Sequence, residues 1–282
     1  MAETLTVDRV AAFSNGAQGG NPAGVVIADQ MPSAAEMQRI AAEVGYSETA
    51  FAAPSGDHGG AWRVRYFAPS TEVAFCGHAT IALGARLAAR FGGGTYPLVL
   101  NDGTISVESD ATGDLSRAAL MSPPTKSGPA SAELLQAALA LFDLAPADLD
   151  PALAPAVANA GNDHLVLALA DRARLAAMTY DLKEGAALMQ AHGLTTINLI
   201  WAETPRLFHS RNAFAIGGVL EDPATGAAAA ALAGYLRDAG WPHGGAIDIV
   251  QGEDMGAKSL LRAEISDEPG ASIRVSGTAR VI

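Results

Sequence analysis

Apolar positions along the chain follow two periods. Short apolar runs bounded by Gly, Asn and Pro predict strands, and apolar residues three and four apart predict helices. Residues 4–13 and 22–28 read as strands with a Gly/Asn-rich loop, 14–21, between them. Ser33 opens a helix: Glu36 follows three residues later as in a capping box, and Met37, Ile40, Ala41 and Val44 share one face up to Gly45. Residues 47–52 and 61–67 are extended. Residues 77–91 are helical and closed by Gly92-Gly93-Gly94, and Asn101-Asp102-Gly103 predicts a hairpin between 98–100 and 104–108. Met121-Ser122-Pro123-Pro124 interrupts the pattern and marks a boundary. This gives an N-terminal lobe of residues 1–122 and a C-terminal lobe of 123–282, with the last strand, 271–282, able to cross back. In the second half, 131–142, 181–192 and 225–239 read as helices. Residues 165–169, 195–202, 206–216, 246–251, 259–265 and 272–282 read as strands, and the Pro/Ala-rich stretch 143–160 as loop or short turns.

The helices at 77–91 and 225–239 align at one constant offset. Glu72, Gly77, Ala79, Ala82, Leu83 and Leu87 match Glu221, Gly226, Ala228, Ala231, Leu232 and Leu236. Two Ala-rich helices can agree by chance. The alternative is two lobes of one architecture, each with strands wrapped around a central helix. Residues 226–234 carry no charge and almost no large side chain, and a helix apolar on all sides must be buried on all sides. The N-terminus of such a helix presents backbone N–H groups and a positive dipole end, so two facing termini would make an anion site.

Composition narrows the function classes. The 282 residues carry 18 Lys+Arg, 30 Asp+Glu and a net charge of −12, which argues against a nucleic-acid backbone binder. Hydrophobic residues at 49% describe a folded protein with a real core. One cysteine, Cys76, excludes an intramolecular disulfide and a multi-thiolate zinc site. His58, His164, His192, His209 and His243 show no metal-ligand spacing, so no metal is expected. Phosphate-loop, dinucleotide-fold and hydrolase-elbow motifs are absent. The chain begins without a basic, apolar leader and has no run long enough to span a bilayer, which points to the cytoplasm and away from a membrane.

Four polar residues invite chemistry. Glu48 follows a helix end among small and apolar residues, where partial desolvation would suit a general acid/base; a solvated turn glutamate is the plainer alternative. Asp222 stands at the mouth of the second Ala-rich helix, either in a site or simply complementing the dipole. His78 holds the matching place at the first helix. Cys76 beside it is either a thiol activated by the helix terminus or a small buried apolar residue.

Together these segments resemble the PhzF family of phenazine-biosynthesis-like isomerases, within the diaminopimelate epimerase fold. The resemblance lies in Gly20-Asn21-Pro22-Ala23-Gly24, Ser47-Glu48-Thr49-Ala50-Phe51, Arg65-Tyr66-Phe67-Ala68-Pro69, Cys76-Gly77-His78-Ala79-Thr80, Glu221-Asp222-Pro223-Ala224-Thr225-Gly226, Gln251-Gly252 and Val275-Ser276-Gly277-Thr278, in that order. It departs from the family pattern at Ala11-Ala12, at Gly256-Ala257-Lys258-Ser259 and at Ala227. The resemblance implies an α+β fold of two similar lobes, each with mainly antiparallel strands around a central helix. It also implies an active site in the cleft between them, catalysis without a cofactor, a small anionic substrate and a homodimer. By family pattern Glu48 is the general acid/base, supported by His78 and Asp222, with Asn21, Gly77, Thr225, Gly226 and Ala227 on the substrate. The type reaction isomerises trans-2,3-dihydro-3-hydroxyanthranilate. Two rivals remain: an amino-acid racemase or epimerase of the same fold, whose relatives use one thiol in each lobe and which here, with Thr225 in the second place, would need Glu48 or Asp222 as a partner, and a non-catalytic small-molecule-binding protein.

Overall fold

The computed structural model describes residues 5–56, 60–101, 103–112 and 115–282. Thr4, His58 and Asp102, which figure in the sequence expectations, lie outside the described residues. The chain divides into two compact units, Met1–Met121 with Ser276–Ile282, and Ser122–Val275.

The first unit runs β1 (Asp8–Ala12), β2 (Asn21–Ile27), α1 (Ala34–Val44), β3 (Thr49–Pro54), β4 (Trp62–Phe67), β5 (Glu72–Val73), α2 (Gly77–Phe91), β6 (Gly94–Leu100), β7 (Gly103–Thr112) and β8 (Leu115–Met121). Ser33 caps α1 by accepting the Glu36 N–H, and Gly45 ends the helix in the left-handed region at φ 71°. The expected capping box is half made, because the Glu36 carboxylate turns to Arg39 instead of back to Ser33. Met37, Ile40 and Ala41 of α1 pack with Val26, Phe51 and Phe67, so the apolar stripe read from the sequence is the buried one. Helix α2 is buried from Gly77 through Ala85 and lies against β1, β2, β3, β6, β7 and β8. Its Ala and Gly residues allow that many strands to approach.

The second unit runs β9 (Lys126–Pro129), α3 (Ala132–Leu141), β10 (Ala156–Asn159), β11 (Asp163–Ala168), α4 (Arg172–Ala176), α5 (Leu182–His192), β12 (Thr196–Thr204), β13 (Leu207–Ala213), β14 (Glu221–Asp222), α6 (Gly226–Asp238), β15 (Ala246–Gln251), β16 (Ser259–Glu264) and the start of β17 (Arg274–Val281). The rest of β17 belongs to the first unit, where it pairs antiparallel with β1. Ser131 and Asp181 cap α3 and α5. Strand β10 falls in the stretch expected to be loop. Its residues Ala156 to Asn159 are too small and polar to carry a strand signal, and pairing with β9 and β11 makes it one.

The same order of pairings occurs in both units. In the first, β1–β2 is antiparallel, β2–β3 parallel across α1, β3–β4 antiparallel and β4–β6 parallel. In the second, β10–β11 is antiparallel, β11–β12 parallel across α4 and α5, β12–β13 antiparallel and β13–β15 parallel. Strand β11 is buried along almost its whole length, as expected of a parallel strand covered on both faces, whereas β16 alternates buried and exposed residues. Among the described residues no helix is long and apolar enough to cross a membrane.

One buried group makes this fold sensitive to acid. His164 on β11 is fully buried; its Nδ1 lies 2.7 Å from Thr196 Oγ1, and its Nε2 has no hydrogen-bond partner among the described residues. Burial pushes the imidazole down from 6.5 to about 4. The unfolded chain therefore takes up this proton near pH 6.5 while the folded chain resists it. Stability is intact above that pH and is lost as pH falls towards 4, by up to roughly 3 kcal/mol from this residue. Urea unfolding at pH 7 and pH 4.5 should show a loss that is smaller in His164→Leu. An identical pH dependence in the two proteins would contradict this.

Candidate functional site

The first-unit cluster is assembled by strand pairing. Strand β3 begins beside Gly24, with Gly24 paired to Thr49 and the Gly24 N–H donating to the Glu48 carbonyl at 3.2 Å. A Cβ on Gly24 would lie 2.6 Å from Thr49 Oγ1, so only glycine lets β2 and β3 close at this point. That pairing fixes Glu48 on the residue before the strand. Its carboxylate Oε2 lies 3.5 Å from His78 Nε2, with both side chains largely covered (Glu48 12% exposed, His78 5%). The Ser47 hydroxyl is 3.4 Å from the same nitrogen. On the other edge of the ring, Cys76 Sγ lies 3.3 Å from His78 Nδ1. Sγ is also 4.0 Å from Nε2, and the thiol, a ring nitrogen and a carboxylate oxygen all lie within 4.8 Å of one another, so the carboxylate and the thiol both border the imidazole. The Cys76 carbonyl accepts from the Thr80 hydroxyl at 2.7 Å, and Thr80 Oγ1 is 2.6 Å from the Tyr66 hydroxyl. Burial raises the Tyr66 phenol well above its ordinary value, which keeps it neutral.

The second unit has a polar network at the matching place. Thr225 Oγ1 donates to Asp222 Oδ2 at 2.5 Å and accepts from Asn212 Nδ2 at 2.6 Å and Gln251 Nε2 at 3.0 Å. Gln251 also donates to the Asp222 carbonyl and accepts the Thr225 N–H. The turn after Gln251 requires Gly252: its φ is +71°, and a Cβ there would lie 2.6 Å from the Ala257 carbonyl and 2.8 Å from that of Pro223. Asn212 Oδ1 is buried without a hydrogen-bond partner among the described residues.

Helix starts divide into two kinds. Ser33, Ser131, Asp171 and Asp181 each place a side-chain oxygen on a first-turn N–H of α1, α3, α4 and α5. Neither Cys76 on α2 nor Thr225 on α6 does so. The Thr225 hydroxyl is turned to Asp222 instead. The first-turn amides at Gly77 and at Gly226-Ala227, with the positive dipole ends, remain able to face an anionic oxygen.

Each uncapped helix is preceded by the same ion pair. Phe67 pairs with Glu72 across β4–β5, and Ala213 with Glu221 across β13–β14. The residue two earlier on the longer strand shares that face and is arginine both times. Arg65 forks onto Glu72 at 2.7 and 2.5 Å, and Arg211 onto Glu221 at 3.1 and 2.5 Å. In the first pair Arg65 lowers the Glu72 carboxyl below its ordinary value.

The structure therefore brings Glu48, Cys76 and His78 together, and joins Asp222 to Thr225. Asn21 is buried at the start of β2, while Gly77, Gly226 and Ala227 open the two uncapped helices. Sequence reasoning missed Arg65, Arg211 and Asn212 as parts of these arrangements. No common spacing announced the two arginines, since Arg65 stands seven residues before Glu72 and Arg211 ten before Glu221.

Comparison with known proteins agrees in one direction. The model of the phenazine biosynthesis-like protein family, PhzC-PhzF, matches residues 10–282. The trans-2,3-dihydro-3-hydroxyanthranilate isomerase of Pseudomonas chlororaphis is 32% identical over 272 residues, 94% of this chain and 93% of that one. The crystal structure of the Bacillus anthracis phenazine biosynthesis protein of the PhzF family superposes with a TM-score of 0.85 at 23% identity, over 99% of this chain and 97% of the other. A probable proline racemase from Agrobacterium radiobacter, solved with bound carbonate, shares the fold at a TM-score of 0.64 and 12% identity, over 99% and 91% of the two chains.

Proposed function

Because the chain belongs to the phenazine biosynthesis-like family and is an isomerase, we propose that it shifts a proton on a small carboxylate-bearing substrate without a cofactor, with Glu48 as the group that carries the proton. The observation behind this reading is the Glu48–His78 contact beside the uncapped start of α2. A 3.5 Å separation is long for a hydrogen bond, and such contacts shorten when a ligand fills the site. Glu48 as the acid gives its proton to one carbon of a conjugated system, and as the carboxylate it takes one from another. No atom is gained or lost. His78 is the positioning partner, in the tautomer this reading requires: Nε2–H towards the carboxylate and Nδ1 accepting from the Cys76 thiol. The Gly77 amide and the dipole end of α2 hold anionic oxygen, a means that needs no basic side chain in a chain of net charge −12. In the second unit the same reading gives Asp222 a positioning part. It holds the Thr225 hydroxyl away from the helix start, leaving the amides of Gly226 and Ala227 for an anionic group.

The finer reading takes a cyclic dihydro-hydroxy amino acid of the trans-2,3-dihydro-3-hydroxyanthranilate type as substrate and the arrangement of strands around α2 and around α6 as two versions of one lobe. Two-thiol racemisation is disfavoured, since Thr225 occupies the place matching Cys76 and the chain has one cysteine. The test is incubation with trans-2,3-dihydro-3-hydroxyanthranilate, followed by chromatography and mass spectrometry. The expected product has unchanged mass and a shifted retention time. An unaltered substrate, together with loss of optical rotation from L-proline, would replace this reading by the racemase one.

A further inference from the structure

The three side chains at the start of α2 also form a set of metal donors. Cys76 Sγ, one ring nitrogen of His78 and one carboxylate oxygen of Glu48 all lie within 4.8 Å of one another, and all three residues are covered or nearly so. We infer that this cluster binds a zinc-class divalent cation through Cys76 Sγ, His78 Nε2 and Glu48 Oε2, and that the bound cation blocks the enzyme. The binding stands on geometry alone; only the block rests on Glu48 being the proton carrier.

A tetrahedral zinc ion takes sulfur at about 2.3 Å and nitrogen or oxygen at about 2.0 Å, so the edges of its ligand shell are about 3.5 Å for S–N and about 3.3 Å for N–O. The observed separations are 4.0 Å from Sγ to Nε2 and 3.5 Å from Nε2 to Oε2. These two edges are within about half an ångström of the required length, and the third, from Sγ to a Glu48 carboxylate oxygen, is under 4.8 Å, so rotation of the Cys76 and Glu48 side chains has to close the rest. The charge also fits. A thiolate and a carboxylate together neutralise a divalent cation in a covered place, and binding releases the thiol proton to solvent. Three protein ligands with a fourth position left to water is the ligand count of an open zinc site. The thiolate favours Zn²⁺, Cd²⁺ and Co²⁺ over Mg²⁺ and Ca²⁺, which prefer all-oxygen shells. Linear spacing hides the set, because Glu48 reaches it through the β2–β3 pairing and not along the helix.

A cation held this way ties up the carboxylate oxygen that faces His78, and Glu48 then neither gives nor takes a proton. The enzyme would be inhibited by trace zinc and restored by a chelator.

The chain's single cysteine makes the test unambiguous. Cobalt(II) chloride is titrated into the purified chain while the near-ultraviolet thiolate-to-cobalt charge-transfer band is recorded. Any such band must come from Cys76. The expected result is a saturable one-to-one band, displaced by Zn²⁺ and unaffected by Mg²⁺. His78→Gln and Glu48→Gln, checked for folding by melting temperature, should each weaken the affinity by at least the ~10-fold that even outer-sphere partners of a metal contribute. No band in the wild-type chain would overturn the site. So would a band of equal affinity in both variants, which would mean a lone thiol. Saturation by Zn²⁺ with unchanged turnover would overturn the block while leaving the isomerase assignment intact.

Discussion

Glu48→Gln should reduce isomerase turnover by ~10²–10⁴-fold, the range that a positioned general acid/base contributes, while leaving the melting temperature almost unchanged. Glutamine has nearly the shape of glutamate and still offers an oxygen to His78 Nε2, so the 3.5 Å contact and the covered position survive. What is lost is the ability to bind and release a proton. The backbone that places residue 48 depends on the Gly24 N–H, Thr49 and the β2–β3 pairing, none of which the substitution touches. Steady-state kinetics beside a thermal melt separates the two effects. A full loss of activity with a collapsed melt would speak only of folding, and wild-type turnover in a folded variant would remove Glu48 from the chemistry.

The largest stability effect is expected at Arg211. Its guanidinium is almost covered, forks onto the Glu221 carboxylate, and donates to the carbonyls of Ala176 at 2.8 Å and Met178 at 3.0 Å. Arg211→Met strips Glu221 of its counter-charge in a place where its side chain is only 7% exposed, and leaves those carbonyls unpaired. Breaking one partner of a buried pair costs ~3–5 kcal/mol, whereas a partly exposed pair is worth ~0–1 kcal/mol. The related pair Arg65–Glu72 is more open, at 21% and 27%, so Arg65→Met should cost much less. The double change Arg211→Met with Glu221→Met should recover part of the loss, because no uncompensated charge stays behind. Urea unfolding of these three variants beside the wild-type chain measures this. Equal losses at Arg211 and Arg65 would show that burial does not set the energy of these pairs.

Legibility in the sequence followed the range of the interaction. Helices announced by a local cap, such as Ser33, Ser131 and Asp181, sit where the pattern places them, because a cap involves residues three or four apart. The two Ala/Gly-rich helices were legible from composition, since only small residues permit burial on every side. Motif order pointed to Glu48, His78 and Asp222. Arg211 and Asn212 were not legible, since what brings them to Glu221 and Thr225 is the register of β13 against β14, which no local window contains. The same reason hid Cys76 from Glu48, which meet through strand pairing. Strand β10 was missed because its small residues leave the decision to its neighbours β9 and β11.

The most direct test of proton transfer by Glu48 is solvent-deuterium labelling of the product. The wild-type chain and Glu48→Gln are incubated in D2O with trans-2,3-dihydro-3-hydroxyanthranilate, and the product is read by proton NMR. The expected result is deuterium at the carbon that receives the proton with the wild-type chain, and none above background with the folded variant. Deuterium entering at the wild-type rate with Glu48→Gln would contradict the central role given to that carboxylate.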